Sequence, residues 1–265
     1  MANMTQINPS IHRLVIPYKD IFTTVYTVRY EGGVLLFDAA AENRDVDEYI
    51  LPMLEQLQVT REELKYIFIS HNHRDHAGGL SRVLELYPDA CVVSGADANL
   101  EEKLGGARHL VARDGDELDG VFRMVTIPGH TVESSALLDK RTNTLITGDC
   151  LQLYGIFGST DWACAISLPA EHLRALDKVR ALQVDEILTA HDYHPFGYHY
   201  VGREAVERAL DACAQPLLQI KQIILNRPDM DDEGVRAAFN ALDHRPTVST
   251  RIVGAVRKAM DSGML

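Results

Sequence analysis

The sequence predicts a mixed α/β body followed by a helical C-terminal segment. Up to about residue 202, short apolar runs rich in β-branched residues alternate with amphipathic patterns of helical spacing. After Gly202 three successive segments all have helical spacing. The 265 residues are 46% hydrophobic and 24% charged, which is ordinary for a globular protein with a sizeable core. We therefore predict one α/β domain over residues 1–202 and a helical segment over residues 203–265 that packs on it.

Short apolar runs bounded by turn residues predict the strands, and Glu31-Gly32-Gly33 predicts a hairpin turn between the second and the third. The predicted strands are Arg13–Pro17, Thr23–Tyr30, Val34–Asp38, Tyr66–Ser70, Cys91–Ser94, Phe122–Ile127, Ser135–Asp139, Thr144–Thr147 and Glu186–Ala190.

Apolar residues at helical spacing predict the helices, and Arg227-Pro228 and Arg245-Pro246 separate the last three. The predicted helices are Asp45–Leu57, Leu80–Tyr87, Asp97–Leu104, Ala170–Leu182, Arg203–Asn226, Asp231–Leu242 and Thr247–Met260.

Charge and apolar patterning exclude several classes of protein. A formal net charge of −12 disfavours nucleic acid as a partner, because an acidic surface repels phosphate backbones. The apolar runs are far shorter than the roughly 20 residues of a membrane span, and Met1–Asp20 lacks the pattern of a secretory signal. The cysteines lie far apart without a CxxC pair, which favours reduced thiols. We expect a cytoplasmic protein that acts on a small molecule.

The densest group of polar residues is the run His71-Asn72-His73-Arg74-Asp75-His76, which follows the predicted strand Tyr66–Ser70. Packing gives no reason for three histidines and an aspartate within six residues. Neutral imidazole and carboxylate are ligands that divalent zinc, iron and manganese accept. This run therefore predicts a metal site.

Three further candidate ligands each follow a predicted strand. His130 lies in Pro128-Gly129-His130-Thr131, Asp149 follows Gly148, and His191 follows Ala190. In open α/β sheets, sites form at the carboxyl ends of the strands. Their common placement predicts that they join the same metal site.

The motifs HxHxDH, PGHT, GD and AH, in this order, resemble those of the metallo-β-lactamase-fold hydrolases over about residues 12–200. The resemblance implies an αββα sandwich of two mixed β-sheets with the metals at one edge. It implies two divalent metal ions, with zinc expected first and iron or manganese as alternatives. Asp38 matches an aspartate that supports the family's ligands without being one. The implied ligands are His71, His73 and His130 for the first ion, Asp75, His76 and His191 for the second, and Asp149 as the bridge.

The ligand set is five histidines and two aspartates, which resembles the glyoxalase II and lactonase branch. True β-lactamases of the family often carry cysteine in the second site. The resemblance implies a hydrolase in which a metal-bridging hydroxide attacks the carbonyl of a small ester, thioester or lactone. Asp75 would bind the second ion, orient the hydroxide and pass a proton to the leaving group.

The alternative is a metal-dependent phosphodiesterase or ribonuclease of the same superfamily, because a metal pair also cleaves phosphodiesters. The net charge weighs against it. A β-lactamase, or a scaffold that has lost its chemistry, is disfavoured by the ligand set.

Two aromatic stretches, Tyr154–Trp162 and Tyr193–Tyr200, follow candidate ligands and are expected to form loops that border the cleft. Tyr154 or Tyr198 would donate a hydrogen bond to a substrate oxygen, as a tyrosine does in related lactonases. The candidate catalytic residues are therefore Asp75, Tyr154 and Tyr198.

Overall fold

A computed structural model describes residues 3–96, 98–156, 164–193, 195, 197–242 and 248–265. The chain divides into two compact units, Met1–Val125 and Thr126–Leu265. The first unit carries four of the candidate ligands and the second carries three. The predicted domain boundary at residue 202 stays a prediction.

The first unit contains a seven-stranded mixed sheet in the order β1-β2-β3-β4-β5-β6-β7. The pairs from β1 to β4 are antiparallel, whereas those from β4 to β7 are parallel. The strands are β1 (Asn3–Gln6), β2 (Ile11–Tyr18), β3 (Ile21–Tyr30), β4 (Gly33–Phe37), β5 (Leu64–Ile69), β6 (Cys91–Gly95) and β7 (His109–Ala112).

Helices pack on this sheet through apolar side chains such as Leu36 and Ile67 of the strands and Leu80 of a helix, all fully buried. An antiparallel pair of strands, β8 (Glu117–Leu118) and β9 (Phe122–Thr126), follows β7. The helices are α1 (Asn43–Asp45), a π-helical turn (Val46–Ile50), α2 (Leu51–Gln56), α3 (Arg74–Ala77), α4 (Leu80–Leu86) and α5 (Glu101–Leu104).

The second unit contains strands β10 to β13, paired in that order. β11 and β12 are parallel, and the other two pairs are antiparallel. The strands are β10 (Ser135–Asp139), β11 (Thr144–Ile146), β12 (Glu186–Tyr193) and β13 (Gly197–Val201), and the helices are α6 (Pro169–Leu182), α7 (Arg203–Asn226), α8 (Asp232–Asn240) and α9 (Thr250–Asp261).

The last three helices share an apolar core that includes Leu217 of α7, Phe239 of α8 and Val253 of α9, all fully buried. α7 also contacts α6, β12 and β13. Among the described helices, none combines the length and the apolar character needed to cross a membrane.

Each predicted strand is present, with ends that shift by at most three residues, and the hairpin pairs Tyr30 with Gly33 as predicted. The predicted helix Asp97–Leu104 is shorter than expected, since only Glu101–Leu104 is helical among its described residues. Asp97 and Thr247, the predicted first residues of two helices, lie outside the described residues.

Candidate metal centre

Two of the parallel strands end beside each other and set the position of the HxHxDH motif. β4 and β5 pair in register at Phe37 and Phe68, so the residues that follow them lie at one edge of the sheet. Asp38 follows β4, and its N–H donates to the Phe68 carbonyl at 2.8 Å. Its φ of +64° is unusual for a residue other than glycine. Such backbone strain is typical of functional sites.

The buried Asp38 carboxylate orients His76. It accepts hydrogen bonds from the Ser70 N–H at 2.8 Å, from Ser70 Oγ at 2.9 Å and from His76 Nδ1 at 2.7 Å. Because a carboxylate accepts and does not donate, the ring proton of His76 lies on Nδ1. Nε2 is then the nitrogen that a metal would take.

Ser70 fixes the ring proton of His71 on Nδ1 in the same way. Its hydroxyl donates to Asp38 and lies 3.1 Å from His71 Nδ1, so its oxygen accepts the proton of that nitrogen. One buried carboxylate therefore fixes the rings of two candidate ligands, one directly and one through a serine. Burial raises the pKa of Asp38, although His76 and Ser70 stabilise its charged form.

The candidate ligands of the first unit lie close together. The ligand atoms of His71 lie within 4.8 Å of those of His73 and of His76. His76 Nε2 lies 3.3 Å from a carboxylate oxygen of Asp75. His71 and His76 are fully buried and Asp75 nearly so, whereas His73 is exposed.

Helix α3 places Asp75 and His76 on a single helical turn. Gly78 ends this helix, and its N–H donates to the Ala40 carbonyl at 3.0 Å. A Cβ at this position would lie 1.9 Å from the Ala41 carbonyl oxygen, so only glycine allows the close approach.

In the second unit, a tight turn after β9 presents His130. Its Nδ1 donates to the Ala165 carbonyl at 2.7 Å, which again leaves Nε2 for a metal. The preceding Gly129 packs against His172 of α6, and a Cβ on Gly129 would lie 2.4 Å from His172 Nδ1. The glycine of the PGHT motif is thus required by space.

The Asp149 carboxylate lies between two histidines. Its Oδ1 is 3.1 Å from His191 Nε2, and its Oδ2 is 3.6 Å from His130 Nε2. All three side chains are buried. The Asp149 carboxylate thus directs one oxygen towards each of two imidazoles.

His191 belongs to β12, which corrects the prediction that it follows the strand. β12 pairs irregularly with β13 between Leu188 and Tyr193, and this stretch contains His191. Asp149 follows β11, the parallel neighbour of β12, so both residues lie at the same end of the two strands.

Tyr193 was not predicted as a functional residue, and it contacts the bridging candidate. Its hydroxyl donates to Asp149 Oδ1 at 2.9 Å, and the side chain is fully buried. Gln152 Nε2 donates to the Asp149 carbonyl at 3.0 Å and to the Tyr193 hydroxyl at 3.3 Å. The signal was its position two residues after His191, which places both side chains on one face of a strand.

The two tyrosines predicted to be catalytic have different surroundings. Tyr154 is half-buried, and burial raises the pKa of its phenol. Tyr198 is half-buried in β13, which corrects the prediction that Tyr193–Tyr200 is a loop. Residues 157–163, with most of the stretch Tyr154–Trp162, lie outside the described residues, as do His194 and Phe196. The catalytic roles of both tyrosines stay predictions.

The donor atoms fit divalent metal ions. Three imidazoles have Nδ1 committed to a serine, a carboxylate or a carbonyl, the second-layer contacts that metal-binding histidines commonly have. The candidate ligands of each unit also include a buried carboxylate beside a histidine, Asp75 in the first unit and Asp149 in the second. Imidazole with carboxylate suits zinc, iron or manganese.

Comparison with known proteins adds a family and a fold. The family model described as the metallo-beta-lactamase superfamily matches residues 18–191. The YobT protein of Bacillus subtilis (strain 168) is 30% identical over 161 residues, which are 52% of this chain and 67% of that protein. A hydroxyacylglutathione hydrolase of Synechococcus sp. (strain JA-2-3B'a(2-13)) is 31% identical over 147 residues, which cover 54% of this chain and 55% of the relative. The match thus spans about half the length of that hydrolase.

A solved structure of a metallo-beta-lactamase family protein from Thermus thermophilus superposes with a TM-score of 0.66 and 18% identity. The superposition covers 97% of this chain and 95% of that chain. At this identity the likeness concerns the fold alone, and it confirms the predicted fold class.

Proposed function

Since the chain belongs to the metallo-β-lactamase superfamily, we propose that it is a metal-dependent hydrolase of a small ester, thioester or lactone. The observation that carries the proposal is the Asp149 carboxylate, with one oxygen towards His130 and the other towards His191. This arrangement suits two cations that share one bridging ligand.

We assign the ligands by the family's motif, supported by the orientation of the rings. The first ion would take His71, His73 and His130, and the second would take Asp75, His76 and His191. Asp149 would bridge them. Zinc is the first choice, because histidine and carboxylate are its ordinary ligands in hydrolytic sites.

Two such ions, when bound, supply a water of lowered pKa and polarise the oxygen of a substrate carbonyl. The protein's own part is to hold the ligands and to move protons. Asp75 would orient the attacking water and pass a proton to the leaving group. Its side chain is buried, with 12% of its surface exposed. Tyr154 or Tyr198 would donate a hydrogen bond to a substrate oxygen.

A thioester is the first substrate class to test. The Synechococcus relative is named for the hydrolysis of a hydroxyacylglutathione, which is a thioester. A net charge of −12 supports a small molecule over a polyanion.

The test combines metal analysis with a substrate panel. Purified protein is loaded with zinc, its metal content is measured, and hydrolysis of thioesters, lactones, phosphodiesters and RNA is followed. We expect two ions per chain and turnover of a thioester or lactone. Metal-loaded protein that cleaves only phosphodiesters or RNA would contradict the proposal and favour the phosphodiesterase alternative.

A further inference from the structure

An open groove of about 630 Å³ lies on the first unit beside the HxHxDH motif. Its lining includes three cationic side chains, Arg44 of α1, Arg74 of α3 and Lys103 of α5. Glu42 is the acidic side chain among the described residues that line it. In a protein of net charge −12, this is a local excess of positive charge.

Lys103 connects the groove to the HxHxDH motif. Its ammonium donates to Asn72 Oδ1, and Asn72 lies between the candidate ligands His71 and His73. The Asn72 amide in turn donates to the Asn99 carbonyl at 2.9 Å. The Lys103 carbonyl accepts from Ser81 Oγ of α4 at 3.0 Å, so its backbone is anchored.

The charge of Lys103 is poorly compensated. The side chain is half-buried, and burial lowers the pKa of its ammonium by more than the charge of the neighbouring Glu102 raises it. Within the described part of the chain, no carboxylate oxygen lies within 4.0 Å of its Nζ. A bound anion would stabilise this charge.

The two arginines are available to an anion. Arg74 pairs with Glu42 at 3.1 Å and Arg44 with Glu48 at 3.0 Å, and all four side chains are at least half exposed. Exposed ion pairs of this kind contribute little, so an anion with two or three oxygen atoms competes with them.

We propose that this groove binds an acidic group of the substrate, which is a carboxylate or a phosphate monoester. The hydrolysable carbonyl of the same substrate would lie at the adjoining HxHxDH motif. The proposal rests on the proposed function and narrows its substrate class to anionic thioesters, esters or lactones. Arg44, Arg74 and Lys103 would select the substrate without taking part in bond cleavage.

The kinetic test uses matched pairs of substrates. N-Acetylcysteamine thioesters of succinate, glutarate and adipate are compared with analogues in which a carboxamide replaces the free carboxylate. For at least one chain length, kcat/KM for the acid should exceed that of the amide by about tenfold, as expected for losing a hydrogen-bonded charge. The preference should fall with added salt.

Variants locate the preference. Lys103→Gln and Arg44→Gln should each remove most of it by raising KM for the acid much more than KM for the amide. Lys103→Arg should retain it. Lys65→Gln is the matched control, because Lys65 is an exposed lysine of the same unit that does not line the groove. A preference below threefold for all three acids, or one that survives both groove variants, would overturn the proposal.

A binding measurement separates this proposal from the proposed function. Succinate and inorganic phosphate are titrated into zinc-loaded protein labelled with ¹⁵N, and amide shifts are followed by NMR. Shifts at Arg44 and Lys103 that vanish in Lys103→Gln support the groove. The anion that causes them at the lower concentration is the acid that the groove prefers. Shifts confined to residues next to the metal ligands contradict it. If protein that holds two ions hydrolyses no ester, thioester or lactone, the proposed function fails, while this measurement still decides whether the groove binds an anion.

Discussion

Tyr193 places one buried hydroxyl on the carboxylate that we propose as the bridge. Tyr193→Phe removes the hydrogen bond to Asp149 Oδ1 and leaves the ring in place. Hydrogen bonds of this kind orient metal ligands, so we expect zinc affinity or kcat/KM to fall about 10- to 100-fold. The measurements are zinc titration and thioester hydrolysis.

The control is Tyr66→Phe, because the Tyr66 hydroxyl donates to Asp119 at 3.0 Å in an exposed tyrosine–aspartate hydrogen bond away from the candidate ligands. It should lower the unfolding free energy by about 1 kcal/mol and leave zinc affinity unchanged. Equal effects of the two variants on zinc affinity would contradict a special role for Tyr193.

Asp38 supports two histidines and is not expected to bind metal. In Asp38→Asn, the amide is a weaker acceptor for His76 Nδ1 and for Ser70. We expect zinc to bind about 10- to 100-fold more weakly, with the second ion lost first. Zinc content after dialysis at graded chelator concentrations measures this; unchanged retention of both ions would show that Asp38 is only structural.

The candidate ligands could be proposed from the sequence, whereas most of the residues that hydrogen-bond to them could not. His71 and His73 stand in a dense motif whose spacing indicates metal chemistry, and Asp38 was found through the resemblance. Ser70 and Tyr193 act through hydrogen bonds to other side chains. A serine at a strand end and a tyrosine in an aromatic stretch have many ordinary explanations, and only the tertiary contacts distinguish them.

Helix α6 packs closely against the turn that carries His130. Because a Cβ on Gly129 would lie 2.4 Å from His172 Nδ1, Gly129→Ala must displace the turn or the helix. We expect a loss of about 1–3 kcal/mol in unfolding free energy, together with weaker zinc binding. Denaturant unfolding and zinc titration measure the two effects.

The double variant Gly129→Ala/His172→Ala relieves part of the clash, because it removes the imidazole at 2.4 Å and keeps the Cβ of residue 172 at 2.8 Å. It should bind zinc more tightly than Gly129→Ala alone. If the second substitution adds a further loss of affinity, the contact between the turn and the helix is not the cause.

His172 also predicts a dependence of stability on pH. Burial, with a smaller effect from His130, lowers its pKa from 6.5 to about 4, and neither ring nitrogen has a hydrogen-bond partner among the described residues. The unfolded chain therefore binds a proton that the folded chain refuses between these values. As the pH decreases from 6.5, the unfolding free energy falls by up to about 3 kcal/mol, and it levels off below about pH 4.

His172→Leu should remove this part of the pH dependence. Urea unfolding of metal-free protein at several pH values compares the two slopes. Parallel curves for the wild type and the variant would show that His172 takes up its proton in the folded state.

At the scale of elements, strands with a strong apolar pattern were predicted, whereas β7 and β13, whose patterns are weak, were not. β10 and α7 have the predicted bounds. β10 is a short apolar run that is buried throughout, and α7 has a clear helical period between Gly202 and Pro228. β7 is an edge strand with Leu110 and Val111 exposed, so its sequence lacks the alternation of a half-buried strand. β13 consists of glycine, tyrosine, histidine and valine and owes its strand to pairing with β12.

For the whole molecule, metal removal tests how the seven candidate ligands act together. Chelation should abolish hydrolysis and lower the unfolding temperature, and zinc should restore both, because a ligand that binds only the folded state stabilises it. At a free zinc concentration of 100 times the dissociation constant, the gain is about 2.7 kcal/mol. The candidate ligands are divided between the two units, so His76→Ala in one and His191→Ala in the other should each reduce the zinc content and the stabilisation. Calorimetry with metal analysis measures both quantities. A variant that keeps two ions and the full shift in unfolding temperature would contradict the assignment of the substituted histidine as a ligand.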